Sequence, residues 1–229
     1  MKKHILLLHG ALGCVDQFQE LKSILSQQFE VHAFNFDGHG GTTATKDFSI
    51  DLFTDNVHSF IRSHNLKEVY IFGYSMGGYV ALNLEHKYPG SAQKIITLGT
   101  KFDWFPEFAA KEVKMLNPDK IEEKVPKFAN YLAQLHGPEN WKNVVLQTGN
   151  LMRNLGNQPL LDDQVLRSIQ TEVVVLLGNL DTMVTKEESE HVSNLLPSST
   201  LKEIPDFPHQ IEKVNKEQLA SFITNIINN

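Results

Sequence analysis

The chain has 229 residues, of which 41% are hydrophobic and 21% charged, as in a globular protein with a substantial core. Its formal net charge of −6 argues against a nucleic-acid partner, because nucleic-acid-binding proteins normally carry a basic face. No apolar run approaches the roughly 20 residues of a membrane span, and the apolar run after Lys3 is too short for a signal peptide. The single cysteine, Cys14, forms no internal disulfide, so we expect a cytoplasmic protein.

Six short apolar runs predict β-strands, and helical patterns separate most of them. The expected strands are 4–9, 30–36, 68–72, 94–98, 173–177 and 200–204. Apolar residues at helical spacing predict helices over 17–28, 51–64, 78–88 and 216–228. Because strands and helices alternate and several strands are apolar throughout, we predict an α/β fold with a doubly wound, mostly parallel sheet.

The segment 101–171 interrupts this alternation, because it contains no strand-like run. Apolar residues follow helical spacing from Trp141 to Leu155, and a second helical stripe covers 121–135. Pro126 is expected to kink or divide that stripe. We therefore predict two regions: a core formed by 1–100 and 172–229, and a helical cap formed by 101–171 over the carboxyl edge of the sheet.

The sequence Gly-Tyr-Ser-Met-Gly at 73–77 lies between an expected strand and an expected helix. Gly-x-Ser-x-Gly at such a turn is typical of a nucleophile elbow, which exposes a serine hydroxyl at the edge of the sheet. The two glycines let strand and helix approach closely. Ser75 is therefore the candidate nucleophile, and an ordinary glycine-rich turn is the alternative. Cys14 has no activating neighbour in the sequence and is expected to be a plain loop or buried thiol.

A serine nucleophile needs a base and an orienting acid, and the loops after the last two expected strands can supply both. Asp181 follows the strand 173–177, and His209 follows the strand 200–204. Two alternatives remain. Asp103 follows another strand and could be the acid in place of Asp181, and Asp181 could cap a helix instead of acting as the acid. The remaining histidines are expected to be structural or solvated.

Several separated motifs together resemble the α/β-hydrolase fold superfamily: His9-Gly10, Asp-Gly-His-Gly at 37–40, the Ser75 elbow, and the chain order Ser75, Asp181, His209. The resemblance covers nearly the whole chain apart from the cap. It implies that the sheet lacks two N-terminal strands of the family and that the cap follows the family's sixth strand. It also implies an oxyanion hole formed by the backbone N–H groups of Ala11 and Met76.

The leading prediction is hydrolysis of a small carboxylic ester or thioester through an acyl-enzyme on Ser75, with His209 as base and Asp181 as orienting acid. One alternative is a carbon–carbon bond hydrolase, or a lyase similar to the menaquinone-pathway synthase, for which Lys101, Arg153 and Arg167 would supply positive charge. Another alternative is a non-catalytic receptor that binds a ligand on the same fold.

The substrate is expected to be a small molecule, and neither a cofactor nor a metal is expected, since no dinucleotide fingerprint and no recognised metal-ligand spacing occurs. The sequence leaves the oligomeric state open. Large apolar side chains of the cap could line an acyl pocket or simply pack in a core. They are Trp104, Phe105, Phe108, Trp141 and Met152.

Overall fold

A computed structural model describes residues 2–229 and contains one six-stranded sheet in the order β2-β1-β3-β4-β5-β6. The strands are β1 (His4–Leu8), β2 (Glu30–Ala33), β3 (Tyr70–Tyr74), β4 (Lys94–Leu98), β5 (Val173–Leu180) and β6 (Ser199–Pro208). Every neighbouring pair is parallel. The predicted α/β fold with a parallel sheet is therefore confirmed.

The described part of the chain holds ten α-helices. They are α1 (Gln19–Leu25), α2 (Ile50–Ser63), α3 (Met76–Lys87), α4 (Pro106–Val113), α5 (Pro118–Lys124), α6 (Pro126–His136), α7 (Trp141–Asn157), α8 (Asp163–Ser168), α9 (Lys186–Leu195) and α10 (Lys216–Asn228). Pro126 is the first residue of α6, a position where proline's missing N–H costs nothing, so it divides the expected stripe into α5 and α6.

Both faces of the sheet are covered, which explains why several of its strands are apolar throughout. In β1, Leu6 and Leu8 belong to a buried cluster that includes side chains of α2 and α3. Ile5 and Leu7 belong to a second buried cluster, on the other face, with side chains of α1 and α10. Successive residues of a strand point to opposite faces, so each face receives every second residue.

Five of the six expected strands have different bounds in the structure, and local hydrogen bonding or backbone conformation explains the differences in β2 and β3. β2 ends at Ala33 instead of residue 36, because the Phe36 N–H donates to Nε2 of His9 and not to a neighbouring strand. β3 begins at Tyr70 instead of residue 68, because Glu68 has a φ of 52°, which is incompatible with extended backbone.

The segment 101–171 forms α4 to α8, and the described residues in it include no strand. It has its own small apolar cluster, which includes Trp141, Leu132 and Ile121. The C-terminal part of this segment contacts α3, where the Tyr79 hydroxyl accepts hydrogen bonds from two successive backbone N–H groups of the segment, at 3.1 and 3.0 Å. Among residues 2–229, no helix is both long enough and apolar enough to cross a bilayer.

Candidate active site

Ser75 occupies the sharp turn between β3 and α3 in a strained conformation. Its φ of 51° and ψ of −117° lie outside the regions that non-glycine residues normally adopt, which typically costs about 1–3 kcal/mol. Hydrogen bonds from both sides hold the turn: the Ser75 N–H donates to the Leu98 carbonyl at 2.8 Å, and its own carbonyl accepts from the Thr100 hydroxyl at 3.0 Å. The end of β4 and the loop that follows it thus fix the position of the serine.

The glycines of the motif are required by close approach of backbone segments. A Cβ atom on Gly73 would lie 2.5 Å from backbone atoms of Gly77 and Gly78 at the start of α3. A Cβ atom on Gly77 would collide with the carbonyl of Leu8 in β1. Neither contact can be relieved by a side-chain rotation, because both involve backbone atoms. The spacing of the motif therefore reflects the packing of β1, β3 and α3.

The structure brings Ser75, His209 and Asp181 together at the carboxyl edge of the sheet. The Ser75 Oγ lies 3.3 Å from Nε2 of His209, and the opposite ring nitrogen, Nδ1, lies 2.8 Å from Oδ2 of Asp181. The side chains of His209 and Asp181 are only 9% and 1% exposed. Parallel strands place their following loops at one edge, so residues 134 positions apart in sequence become neighbours.

Asp181 both orients His209 and shapes its own turn. Its Oδ1 accepts hydrogen bonds from the backbone N–H groups of Met183 and Val184, at 2.8 and 3.0 Å. Burial alone would raise the pKa of Asp181, but the hydrogen bond from His209 and those two N–H groups hold this pKa below its usual value. Asp181 is therefore ionised at neutral pH. Asp103, the alternative acid, lies along a different surface hollow beside α8 and α9.

Gly99, at the end of β4, supports the pair of Asp181 and His209 and was not identified from the sequence. Its φ is 58°, a conformation that favours glycine. A Cβ atom there would lie 3.0 Å from Oδ2 of Asp181 and 3.3 Å from Nδ1 of His209. The sequence signal was present, since Gly99 directly follows an apolar strand at the edge where the candidate residues were expected.

The backbone N–H groups of Ala11 and Met76 are unused beside the serine. Both residues line the same pocket as Ser75 and His209. Neither N–H donates a hydrogen bond to any protein group within residues 2–229. Met76 is the first residue of α3, where backbone N–H groups lack helical acceptors and the helix dipole favours negative charge. The arrangement can therefore accept an oxyanion.

Two buried histidines, His9 and His136, bond to the loop that carries Ala11, and a third, His39, lies between their rings. Nδ1 of His9 donates to the Gly10 carbonyl at 2.9 Å, while its Nε2 accepts from Phe36. Nε2 of His136, on α6, donates to the Leu12 carbonyl at 3.0 Å. The rings of His9 and His39 are 5.0 Å apart, and those of His39 and His136 are 5.7 Å apart.

These three rings are uncharged at neutral pH. Burial lowers the pKa of His9 to about 4, and it lowers the pKa of His39 well below its usual value and that of His136 to a lesser degree. Scaffold roles were expected for His9 and His39. The part that His136 plays was not found from the sequence, because it depends on a contact between α6 and a loop 124 residues away.

The pocket in front of Ser75 has mostly apolar walls. Besides Ala11 and Met76, its apolar lining comprises Ile50, Tyr79, Trp104, Phe108, Leu151, Met152, Leu155, Met183 and Val184. Of the five predicted lining residues, Trp104, Phe108 and Met152 are present in it. Phe105 and Trp141 are not: Phe105 is exposed, and Trp141 is buried in the separate cluster with α5 and α6. Helical spacing identifies an apolar face but not the neighbour that the face packs against.

Among the described residues, the lysine and carboxylate side chains that line the pocket are those of Lys101 and Glu112. The Lys101 ammonium forms an ion pair with the buried carboxylate of Glu188 and lies 4.3 Å above the centre of the Phe108 ring. Two other candidate cations are placed elsewhere: Arg153 bonds to a nearby asparagine side chain, and Arg167 lies near an exposed aspartate. Of the three cations proposed to bind an acidic substrate, only Lys101 reaches the pocket, and Glu188 neutralises it.

Comparisons with known proteins agree with this architecture. Residues 3–119 match the family model described as alpha/beta hydrolase fold. The chain is 25% identical over 224 residues to the serine hydrolase BPHL of Mus musculus, covering 90% of this chain and 73% of that protein. It is 30% identical over 78 residues to a 2-succinyl-6-hydroxy-2,4-cyclohexadiene-1-carboxylate synthase of Shigella dysenteriae, covering 34% of this chain and 31% of the synthase.

A solved structure extends the likeness over the whole chain. The thermophilic esterase of Thermogutta terrifontis superposes with a TM-score of 0.79, covering 100% of this chain and 90% of the esterase, at 17% sequence identity. At this identity the likeness concerns the fold alone.

Proposed function

The chain belongs to the α/β-hydrolase fold family, and on that premise we propose that it is a serine hydrolase acting on small, uncharged carboxylic esters or thioesters. The observation that carries the proposal is the chain of contacts from Ser75 through His209 to Asp181, next to two unused backbone N–H groups. A strained serine that faces a buried imidazole and carboxylate is suited to nucleophilic catalysis, whereas the strain contributes nothing to the stability of the fold.

In the first half of the reaction, Nε2 of His209 accepts the proton of the Ser75 hydroxyl as Oγ attacks the carbonyl carbon of the ester. Asp181 accepts a hydrogen bond from Nδ1–H, which keeps Nε2 available as the base and stabilises the imidazolium that forms. The tetrahedral oxyanion lies against the N–H groups of Ala11 and Met76. Each such donor is typically worth about 2.7–4 kcal/mol in the transition state.

In the second half, the protonated His209 gives its proton to the leaving alcohol or thiol, and the acyl group stays bonded to Ser75 Oγ. His209 then removes a proton from a water molecule that attacks the acyl carbon. A second tetrahedral intermediate collapses to release the carboxylic acid and restore the serine hydroxyl. General acid–base catalysis of this kind typically contributes about 10²–10⁴-fold.

The pocket supports a neutral, apolar acyl group. Trp104, Phe108 and Met152 come from the segment 101–171, which we propose acts as a cap over the site. The charge of Lys101 is already balanced by Glu188, and Glu112 at the same pocket would repel a carboxylate. A substrate with acidic groups, as in the synthase-like alternative, would therefore lack a cationic anchor. No feature of the site favours that alternative or the receptor.

The proposal is tested by labelling with a fluorophosphonate probe and by hydrolysis of p-nitrophenyl esters and acyl thioesters of two to eight carbons. We expect labelling of the wild type, loss of labelling in Ser75→Ala, and full labelling in the matched control Ser63→Ala, whose hydroxyl is exposed at the end of α2. Wild-type protein that neither reacts with the probe nor hydrolyses any ester would contradict the proposal. Labelling that persists in Ser75→Ala would also contradict it.

A further inference from the structure

Two histidines and a glutamate meet at the amino end of the sheet, on its β2 edge. His4 begins β1 and Glu30 begins β2, and these two residues are directly opposite in the strand register. His32 is two positions further along β2, so its side chain points to the same face. Ser75 follows the carboxyl end of β3, so this cluster and the candidate active site lie at opposite edges of the sheet.

The ligand atoms of the three side chains converge. Nδ1 of His4 lies 3.1 Å from Nε2 of His32 and 3.6 Å from Oε2 of Glu30. All three atoms lie within 4.8 Å of one another. Around a tetrahedral zinc ion with bonds of about 2.0–2.2 Å, neighbouring ligand atoms are about 3.3–3.5 Å apart. Small side-chain movements would therefore bring the three atoms onto three corners of one tetrahedron.

We propose that His4, Glu30 and His32 bind a divalent transition-metal ion, of which zinc is the best match. Two imidazoles and one carboxylate are ligands that zinc accepts, and the fourth position would be filled by water. Glu30, whose side chain is 59% exposed, supplies a negative charge and can adjust its position. No metal was expected from the sequence, because the ligands come from two strands and are separated by 26 positions along the chain.

The contact between the two rings is compatible with either a hydrogen bond or a shared metal. Two ring nitrogens 3.1 Å apart can bond only if one carries a hydrogen and the other does not. A metal ion would take the place of that hydrogen, which would move to the other nitrogen of its own ring, so binding changes a tautomer and releases no proton when both rings are neutral.

Two features limit the affinity. The ammonium of Lys22 lies close enough to interact with the His32 ring, and its positive charge would oppose a bound cation. Within residues 2–229 no protein group bonds to the other ring nitrogen of His4 or His32, whereas tight sites usually fix their ligands in this way. The site would link the short edge strand β2 to β1, so we expect bound metal to stabilise the fold without taking part in hydrolysis.

The test uses chelator-treated protein without a histidine tag, titrated with zinc chloride by isothermal calorimetry at pH 7.5. We expect one ion per wild-type chain. His32→Gln and His4→Gln should each weaken binding at least about tenfold, because even residues that only orient ligands matter about 10–100-fold. Zinc at about 100 times its dissociation constant should raise the wild-type melting temperature by roughly 5–10 °C. The control His86→Gln, which removes an exposed histidine on α3, should behave as wild type.

A second measurement does not depend on the variants being folded. In the wild type, zinc should protect His4 and His32 from modification by diethyl pyrocarbonate, as read by peptide mass spectrometry, and should leave His86 unprotected. The proposal is overturned if wild-type protein binds no zinc. It is equally overturned if binding is unchanged in both His32→Gln and His4→Gln, or if neither histidine is protected.

Discussion

The sheet region and the segment 101–171 differ in how completely they bury their apolar side chains. The four residues from Ile5 to Leu8 in β1 are all fully buried. By contrast, of the eight large apolar side chains that remain exposed among residues 2–229, six belong to the segment 101–171. These six are Phe105, Met115, Val125, Phe128, Tyr131 and Leu146.

In the proposed site, the same division separates the residues that react from the residues that select the substrate. Ser75, Asp181 and His209 all come from loops of the sheet region, where surrounding backbone fixes their positions. Trp104 and Phe108 come from the other segment, where packing is less complete. We therefore expect changes to the sheet loops to reduce the rate of bond cleavage, and changes to the segment 101–171 to alter which substrates bind.

The largest effect is expected for His209→Ala, which removes the proposed base. The value of kcat for a p-nitrophenyl ester should fall by about 10⁴–10⁶-fold with unchanged circular dichroism, because the hydroxyl of Ser75 loses its proton acceptor. His86→Ala, which removes an exposed histidine, should keep wild-type activity. A loss below tenfold in His209→Ala would show that the sheet loops do not carry the chemistry.

Gly99→Ala tests the role of the sheet region more finely, because it disturbs the sheet loops without removing a reacting group. We expect kcat to fall by about 10–100-fold, because the added methyl group would press on the contact between Asp181 and His209. The matched control is Gly90→Ala: Gly90 also has a positive φ, of 81°, but has no atom within 4 Å of an added Cβ. Both variants should lose about 1–3 kcal/mol of stability from backbone strain, and only the first should lose kcat.

Lowering the pH tests the contact between the two regions, where His136 bonds to the loop that follows His9. An unfolded histidine binds a proton near pH 6.5, whereas buried His9 does so only near pH 4. The unfolded chain therefore binds more protons between these values, and stability falls as the pH is lowered through this range. From His9 alone, the free energy of unfolding should drop by about 2 kcal/mol between pH 7 and pH 5.

Denaturant unfolding at several pH values measures this loss. His136→Gln can keep both of its hydrogen bonds but cannot be protonated, so it should reduce the loss, whereas His86→Gln should leave it unchanged. Stability that is constant between pH 7 and pH 5 would mean that the buried rings accept protons while the protein is folded.

The smallest effect is expected for Glu188→Gln, which releases the charge of Lys101 at the pocket. Glutamine can keep the hydrogen bond to the Phe102 N–H but no longer neutralises the ammonium. The ratio of kcat/KM for a p-nitrophenyl hemisuccinate over the butyrate should rise roughly tenfold, as expected for one charged hydrogen bond. Glu187→Gln, one residue earlier on α9, is the control and should not change the ratio.

Much of the fold was predictable because it depends on short stretches of sequence. The strand β4 and the helix α10 have the predicted bounds, since each is a regular pattern between clear breaks. Apolar strands alternating with amphipathic helices can bury both faces only as a parallel sheet. Errors arose where the backbone departs from the pattern, as at Glu68, whose left-handed conformation has no signature in its residue type.

The candidate site was predictable in part, for a related reason. Ser75 lies in a local motif, and Asp181 and His209 follow strands whose ends must share one edge. The contributions of Gly99, His136 and Glu188 depend instead on contacts between segments that are distant in sequence. The pocket walls depend on which helix faces which neighbour, and helical periodicity does not specify this.

The sequence by itself therefore determined the α/β class, the parallel sheet, the turn that carries Ser75, and the loops that hold its proposed partners. Periodicity and chain order are local properties, and they are sufficient for these features. Only the tertiary structure decided that Lys101 is neutralised, that Trp141 lies away from the pocket, and that His4, Glu30 and His32 converge. Each of these depends on distances between side chains of separate elements, which packing of the whole chain sets.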